Sequence, residues 1–548
     1  GSPNNITKVT RFNTAAPHGI NVGDVFLVSA SVYDNPSNPD FINKTWTARA
    51  VGGLYIDLYD YYGSGEYFDA SYVITPGNLA KITVSSVTYQ AFRTTDVGAR
   101  VSINGGTAKI TSVTSGAAAV ATIESVMTSA SSAVKNSWAI EYPVWRSGNY
   151  PGAVSIFEQR LLFGGSPSFP NSVWLSVIGE YLNFTPGVND SDSINLSVAS
   201  DEVADIRHIA QTKALIALSS GSEYTFFGGV EKPITPTNVQ VKNQSVYGCS
   251  GVRPQRIGNE LYFVQRSGRK LRAMAYKFDS DAYGSPDLSV ISEHMTESGI
   301  VDMAYQQEPE SILWLVRADG ALVSVTIDRD QDVIAWAKHD VGGFVESIAS
   351  IPADARDDLY LIVRRTINGE TARYVERMNG LATLDCAVFG TSEAGTDTWS
   401  GLDHLEGKTV TVIADGALMN PRVVSGGSIT IERPAYSVQI GLPFTPELDL
   451  LTPEVGTQSG SSAGSAMRAC EISLRIHETK GAKINGDYIP FRRFGSGILD
   501  VNAEPFSGIC RLENLGWEKG DLPISIEGIP GMPLHVLAAI FKYTSNDG

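Results

Sequence analysis

Apolar and polar residues alternate or cluster in short runs along most of this chain, which is the pattern of β-strands. Runs such as "DVFLVSASV", "TARAVGGLYIDLYDYY", "ARVSINGGTAKITSV" and "KTVTVIADGAL" are rich in Val, Ile, Tyr, Phe and Thr, and turn residues separate them. Apolar positions with helical spacing are scarce; "DEVADIRHIAQ" (201–211) is compatible with a short helix or with the start of a strand. The pattern predicts a mainly β fold.

Five apolar strand cores follow one another in the middle of the chain. In the last four, an apolar strand runs into a short turn (SGS, SGR, ADG or NGE) and a second strand follows. The cores recur about every 50 residues, which is the spacing of propeller blades. They predict a β-propeller with at least five blades, whereas a sandwich built from loosely spaced hairpins is the alternative. The aligned core positions are Leu162, Leu215, Tyr262, Trp314 and Leu361.

With 548 residues, the chain is long enough for several domains, each with its own core. We predict small β modules at residues 1–82 and 83–144, a propeller at 145–385, and one or two sandwich-like domains at 386–548. The small flanking domains are expected to be β-barrels or β-sandwiches. Gly1-Ser2-Pro3 without an initial Met is typical of a cleaved tag, so we expect native N-terminal residues to be missing.

Charge limits the classes of partner. The chain has 42 Lys and Arg against 59 Asp and Glu, a net charge of −17, which argues against broad binding to DNA or anionic membranes. The segment "ELYFVQRSGRKLRAM" (260–274) is an exception, because four basic residues lie within seven positions. We predict that it is an inner blade hairpin whose basic residues form a candidate interaction surface. They could be a solvated rim, pair with acidic residues of another domain or subunit, or contact DNA; they are Arg266, Arg269, Lys270 and Arg272.

Motifs for catalysis or cofactors are missing from the sequence. It has no GxSxG, HExxH, P-loop or Asp-box motif. "DRDQD" (328–332) resembles the start of a calcium loop, but Val333 and His339 stand where such a loop needs Gly and Glu. The acidic run "VNDSDSIN" (188–195) is better explained as a loop capped by Asp and Asn. The four cysteines are far apart in the sequence, which favours reduced thiols. We therefore expect no catalytic residue, no cofactor and no bound metal.

Several long segments resemble the tail nozzle proteins, or tail tubular protein B family, of short-tailed bacteriophages. The resemblance is carried by residues 150–184, 251–295 and 401–416, and residues 92–113 and 433–451 are similar to the same family. Residues 1–82 resemble a variable module that such proteins carry as an insertion, and family members usually have further sequence ahead of it.

The resemblance implies a non-enzymatic virion protein that is made in the bacterial host cytoplasm. Such proteins form a homo-oligomeric ring, typically a homohexamer, below the portal and the adaptor, which is tail tubular protein A. The ring retains phage DNA and then conducts it during ejection, and it contacts tail fibres or spikes. Each copy includes a β-propeller, and neither a cofactor nor membrane insertion is implied.

Two other functions remain open from the sequence. The aromatic run "LYIDLYDYYGSGEYF" (54–68), with Tyr59 and Tyr62, would suit a receptor- or glycan-binding tail adhesin, because exposed tyrosines stack on sugars. A propeller glycan hydrolase would need two carboxylates about 5 to 10 Å apart in its central funnel.

Overall fold

The computed structural model describes most of the chain after residue 90. Before that residue, it describes six strands by their backbone alone. The chain divides into two compact units, Gly1–Tyr150 and Pro151–Gly548. The described residues after position 90 are 91–129, 132–133, 137–142, 144–145, 148–198, 204–212, 214–229, 232–452, 454, 456–457, 460–461, 466–491, 502, 504–513, 517–519 and 524–546.

The described strands of the first unit form two antiparallel sheets. The first has the order β1-β4-β3-β2, from β1 (Thr10–Asn13), β2 (Val25–Leu27), β3 (Thr45–Gly52) and β4 (Tyr55–Asp60). The second has the order β10-β7-β8-β9-β6-β5, from β5 (Asp69–Tyr72), β6 (Leu79–Ser85), β7 (Arg100–Ile103), β8 (Gly106–Ser115), β9 (Ala118–Ser125) and β10 (Trp138–Glu141). Strands from both sides of the boundary expected at residues 82 and 83 therefore share one sheet, and the domain boundaries themselves stay predictions.

Five antiparallel sheets follow in chain order, and within each sheet consecutive strands are neighbours. Sheet 1 contains β11 (Ala153–Phe157), β12 (Arg160–Ser166), β13 (Phe169–Leu175) and β14 (Ile194–Ser197). Sheet 2 contains β15 (Ile206–Gln211), β16 (Leu215–Ser219), β17 (Glu223–Phe227) and β18 (Gln240–Ser245). Sheet 3 contains β19 (Gln255–Ile257), β20 (Glu260–Val264), β21 (Leu271–Lys277) and β22 (Ala282–Gly284). Sheet 4 contains β23 (Ile300–Gln306), β24 (Ile312–Arg317), β25 (Leu322–Asp328) and β26 (Val333–His339). Sheet 5 contains β27 (Phe344–Pro352), β28 (Asp357–Ile367) and β29 (Glu370–Arg377).

The predicted strand cores occupy equivalent places in these sheets. Each of the five aligned core residues lies in the second strand of its sheet, and the turn named for each of the last four joins the second strand to the third. The sequence "DEVADIRHIAQ" leads into strand β15 and does not form a helix within its described part, residues 204–211. Helical structure in the described residues is limited to four 3₁₀ turns, at Thr94–Asp96, Phe278–Ser280, Glu293–Thr296 and Asp403–Leu405.

Hydrophobic clusters lie between successive sheets. One joins sheets 1 and 2, a second joins sheets 2 and 3, a third joins sheets 3 and 4, and a fourth joins sheets 4 and 5. The middle strands are consequently buried on both faces: Leu261, Tyr262 and Phe263 of β20 are at most 1 % exposed. Of the clusters formed by described residues, none joins sheet 5 to sheet 1.

A backbone hydrogen bond, here called the junction bond, repeats between sheets 2 and 5. In each case an N–H near the start of one sheet donates to a carbonyl at the central turn of the preceding sheet. The donors and acceptors are Cys249 and Ser219 (2.7 Å), Ile300 and Gly268 (2.7 Å), and Val345 and Gly320 (3.0 Å). The turn of each sheet is thereby held against the chain that begins the next one.

The remaining residues form further antiparallel sheets. One has the order β30-β34-β31-β32 with β33 beside β31, from β30 (Asp385–Ser400), β31 (Thr409–Ala414), β32 (Ala417–Leu418), β33 (Arg422–Val423) and β34 (Ser428–Leu442). The last strands are β35 (Glu447–Leu450), β36 (Gly456–Thr457), β37 (Gly460–Ser461), β38 (Ala466–Thr479), β39 (Ala482–Ile484), β40 (Asp487–Tyr488), β41 (Phe506–Glu513), β42 (Trp517–Lys519), β43 (Ile524–Gly528) and β44 (Val536–Asn546). A sheet with the order β35-β43-β39-β40 and a sheet in which β38 pairs with β41, β42 and β44 share one hydrophobic cluster, while β36 and β37 form a hairpin.

Gly248 allows the closest approach at the junction of sheets 2 and 3. Its φ is +71°, and a Cβ at this position would lie 2.2 Å from the carbonyl oxygen of Ser220. Gly258 also has a positive φ, +58°, but a Cβ there would meet no atom within 4 Å. Substituting the two glycines therefore distinguishes the cost of backbone strain, which both positions share, from the cost of a steric clash, which only Gly248 has.

We expect Gly248→Ala to destabilise the protein more than Gly258→Ala. Both changes should cost about 1 kcal/mol for placing Ala at positive φ, and Gly248→Ala should cost about 1 to 3 kcal/mol more because the junction must shift. Differential scanning calorimetry of the two variants measures the difference. Equal losses would show that the junction does not depend on this close contact.

Candidate functional site

The basic residues of the β20–β21 hairpin divide into buried and exposed members. Arg272 is only 9 % exposed, so it is not part of a solvated rim. Its Nη1 donates a hydrogen bond to the Ser285 carbonyl at 2.6 Å, and its Nε donates one to Gln265 Oε1 at 2.9 Å. Its guanidinium also lies over the Tyr247 ring, 3.5 Å from the centroid. Arg272 therefore holds the hairpin in the fold and is not available to a partner.

Lys270 pairs within its own chain. Its Nζ lies 2.9 Å from Asp287 Oδ2 and 3.6 Å from Glu293 Oε1. Burial opposes ionisation of Asp287, but hydrogen bonds from Ser289 and Lys270 outweigh it and lower the pKa of this carboxyl. The ion pair neutralises one of the four predicted charges.

Arg266 and Arg269 remain as the exposed charges of the turn. Within the described part of the chain, neither has a side-chain hydrogen bond or an ion pair. Three exposed aliphatic residues lie on the segments that flank the turn: Val246 (72 % exposed), Val290 (61 %) and Ile291 (90 %). The Val246 segment is adjacent because Arg266 N–H donates to the Gly248 carbonyl at 2.9 Å, and the Val290 segment is adjacent through the Asp287–Lys270 pair. We call Val246, Arg266, Arg269, Val290 and Ile291 the basic–aliphatic rim.

A buried acid lies beside this hairpin, between sheets 2 and 3. Glu223 is 0 % exposed; its Oε2 accepts hydrogen bonds from Ser245 Oγ (2.5 Å) and from Tyr247 N–H (3.3 Å). Its Oε1 has no hydrogen-bond partner among the described residues. Burial raises the pKa of Glu223, and its hydrogen bonds and the positive charge of Arg272 offset only part of this shift. Glu223, Tyr247 and Arg272 thus form one polar group under the rim.

The two acidic segments singled out from the sequence are locally bonded turns. Asp328 Oδ1 accepts hydrogen bonds from the backbone N–H groups of Asp330 (3.1 Å) and Gln331 (3.2 Å). In the second segment, Asp192 Oδ2 accepts one from Asn189 N–H at 2.8 Å, which confirms the predicted cap. The fully buried Arg160 donates to the carbonyls of Asp190 and Asp192 and holds the same loop.

The only group of potential metal ligands among the described residues is formed by Glu376, Asp385 and Cys386. Arg365, whose side chain is 3 % exposed, already lies in this group. Its guanidinium donates to both carboxylates, with Nε 2.6 Å from Glu376 Oε1 and Nη1 2.9 Å from Asp385 Oδ2. Burial raises the pKa of Asp385, and Arg365 offsets part of that shift. The arrangement is a charge-paired link between β28, β29 and the first residue of β30.

This link is not among the features predicted from the sequence, although the alternation of residues in β28 contains a signal for it. Leu361, Val363, Arg365 and Ile367 occupy alternate positions of β28, and Leu361 and Val363 pack in the cluster between sheets 4 and 5. A charged residue in the inward register of a strand needs a buried counter-charge. The register identifies Arg365, but Asp385 becomes its neighbour only through the fold.

Of the tyrosines proposed for glycan stacking, Tyr59 lies in β4, which is described by its backbone alone, and Tyr62 lies outside the described residues. In the part of the chain that the structure describes, no helix has the length and apolar character needed to cross a membrane.

A family model described as "Bacteriophage nozzle protein" matches residues 153–379, less than half of the chain. A search of curated proteins gave no match. Among solved structures, an auxiliary nutrient binding protein from Bacteroides thetaiotaomicron is 9 % identical with a TM-score of 0.25, over 56 % of this chain and 85 % of that one. BamB from Moraxella catarrhalis is 10 % identical with a TM-score of 0.26, over 65 % of this chain and 94 % of that one. An exo-β-1,3-galactanase from Phanerochaete chrysosporium is 10 % identical with a TM-score of 0.22, over 72 % and 95 %. These TM-scores are too low to assign a fold or a function.

Glu223→Gln should remove a pH dependence of stability. Because the folded-state pKa of Glu223 is raised above its usual 4.5, its contribution to stability is present at low pH and is lost as the pH rises through the folded pKa. The variant keeps an oxygen that accepts the same hydrogen bonds but carries no charge.

We therefore expect the stability of Glu223→Gln relative to the unchanged protein to increase between pH 4 and pH 8, measured by urea unfolding at several pH values. A difference in stability that stays constant across this range would mean that the pKa of Glu223 is the same in the folded and unfolded states.

Arg365→Met should be strongly destabilising. It leaves Glu376 and Asp385 without their shared counter-charge, which costs about 3 to 5 kcal/mol for a buried pair. Arg373→Met is the control, because Arg373 pairs with Glu346 at 2.6 Å but its side chain is 67 % exposed, and loss of such a pair costs about 0 to 1 kcal/mol. Unfolding free energies of both variants test this, and similar losses would contradict it.

Proposed function

We propose that this chain is a structural protein of the tail of a short-tailed bacteriophage and belongs to the nozzle through which DNA leaves the virion. The observation that carries the proposal is the family-model match to bacteriophage nozzle proteins at residues 153–379. The match begins at the first residue of β11 and ends two residues after β29, so it coincides with sheets 1 to 5. The resemblance to the tail tubular protein B family at residues 401–416 and 433–451 supports the same assignment beyond the matched region.

Sheets 1 to 5 are the blades of a β-propeller in this proposal. Three features support it: the strand order in each sheet is sequential, a hydrophobic cluster lies between each pair of successive sheets, and the junction bond recurs. Sheet 5 has three described strands where the others have four, so a complete propeller requires a further strand or sheet between sheets 5 and 1.

The tail assembly in the proposal is a ring of six copies below the adaptor, tail tubular protein A, with tail fibres or spikes attached. A net charge of −17 suits a DNA conduit, because an acidic lumen repels phosphate and lets DNA slide without binding. Lateral contacts in such a ring require two different complementary faces on every copy. No catalysis, cofactor or membrane insertion belongs to this role.

Purified virions provide the test. The gene for the chain is deleted from its phage and supplied again with a small tag, and particles are studied by mass spectrometry and electron microscopy. We expect the tag at the distal end of the tail tube with six-fold symmetry, and particles made without the protein should lack this density and lose DNA.

A chain absent from virions would contradict the proposal. A chain at the tips of fibres that binds host glycans would support the adhesin, and turnover of host polysaccharide by the purified chain would support the hydrolase.

A further inference from the structure

A second exposed surface of this chain complements the basic–aliphatic rim in charge. Among the described strands, β35 lies at the edge of its sheet and has β43 as its one partner. Glu447 and Asp449 are exposed there and share one strand face, because side chains alternate along a strand. Leu448 (46 % exposed) lies between them in the sequence, on the opposite face of the strand, and Leu451 (92 %) follows the strand. We call Glu447, Leu448, Asp449 and Leu451 the acidic–aliphatic edge.

The carboxylates of Glu447 and Asp449 form no ion pairs with other described residues. Glu447 accepts a long hydrogen bond from Ser525 Oγ (3.4 Å), and neither it nor Asp449 lies in an ion pair among the described residues. Several other acids of this unit are paired with basic residues, as Asp287 is with Lys270, Glu346 with Arg373 and Glu471 with Lys542. The edge thus presents two unpaired carboxylates next to exposed leucines.

The rim presents the matching chemistry. Arg266 and Arg269 lack acidic partners in the described structure, and three exposed aliphatic residues lie on the chain segments that adjoin the hairpin. Ile291 of the rim and Leu451 of the edge are 90 % and 92 % exposed, so the two surfaces do not cover each other within one chain. The rim residues include no carboxylate and the edge residues include no cation; the exposed Glu293, two residues after Ile291, lies 3.6 Å from Lys270.

We propose that the basic–aliphatic rim of one copy of this chain docks on the acidic–aliphatic edge of a second copy. The two surfaces differ, so the contact is head-to-tail and each copy can make it twice, once with each surface. Aliphatic side chains at the rim favour a protein over nucleic acid, because the phosphate backbone offers charge but no apolar surface. The inference rests on the proposed function for its setting, a ring of copies, but its test does not require virions.

The test uses two charge-reversed forms of the full chain, Arg266→Glu with Arg269→Glu, and Glu447→Lys with Asp449→Lys. In the first form both surfaces are acidic, and in the second both are basic. Each form alone should self-associate at least about tenfold more weakly than the unchanged chain, because like charges meet at every contact. An equal mixture should associate again, because the two forms can alternate. Sedimentation velocity measures both results, and higher salt should weaken the restored contact.

Two control variants each reverse one charge, half the change made in each double variant, at other exposed positions. Arg256 lies at the opposite end of sheet 3 from the rim, and Asp330 lies in the turn after β25. Arg256→Glu and Asp330→Lys should leave self-association unchanged. Circular dichroism and the thermal transition should be unaltered in all variants, since the changed side chains are exposed.

Self-association that survives in both double variants would overturn the inference, as would a mixture that stays dissociated. Loss of DNA binding in the arginine variant with unchanged self-association would assign the rim to nucleic acid. An unchanged chain that remains monomeric also overturns this contact, and its presence in virions would then still support the proposed function. Absence from virions, with the charge-dependent association intact, would refute the proposed function alone.

Discussion

The junction bond is the constraint on which the arrangement of the sheets depends. It places the central turn of one sheet against the backbone that begins the next, at three successive junctions between sheets 2 and 5. A backbone bond requires no particular side chain at either end, but it requires room for two main chains to approach. Gly248 supplies this room where a Cβ would meet the Ser220 carbonyl. With the turns held, the apolar faces of neighbouring sheets are brought together, and the hydrophobic clusters between them supply most of the stabilisation.

Buried charges occur at a long loop, between two neighbouring sheets and where sheet 5 meets the strand that follows it. Arg160 holds a long loop of sheet 1 through backbone carbonyls, Glu223 lies with Arg272 between sheets 2 and 3, and Arg365 links sheet 5 to β30. Burying each charge costs free energy. Its hydrogen bonds and ion pairs offset that cost only when every partner is in place. These groups therefore favour one arrangement of loops and strands over alternatives more than they add to stability.

The partners of each basic residue within the chain also determine which surface charges are accessible to other molecules. Lys270 and Arg272 are engaged inside the chain, whereas Arg266 and Arg269 are exposed beside aliphatic side chains. Two unpaired arginines on a chain of net charge −17 form a local exception that acidic surfaces of other copies can recognise. In the proposed ring, such contacts would combine a mainly acidic surface toward DNA with a few basic positions that serve assembly.

The sequence alone determined the strands, the repeat of about 50 residues and the turns between central strands, because alternation and turn residues act over a few positions. It also predicted the hairpin of β20 and β21 and the capped acidic loop, both of which the structure confirms. The tertiary structure decided which charges are buried: Arg272 next to Tyr247, Glu223 under the hairpin, and Arg365 between Glu376 and Asp385. Those partners lie in other strands or after a turn. A basic residue in a strand therefore looks the same in sequence whether it meets water, a ring or a carboxylate, and only folding selects among them.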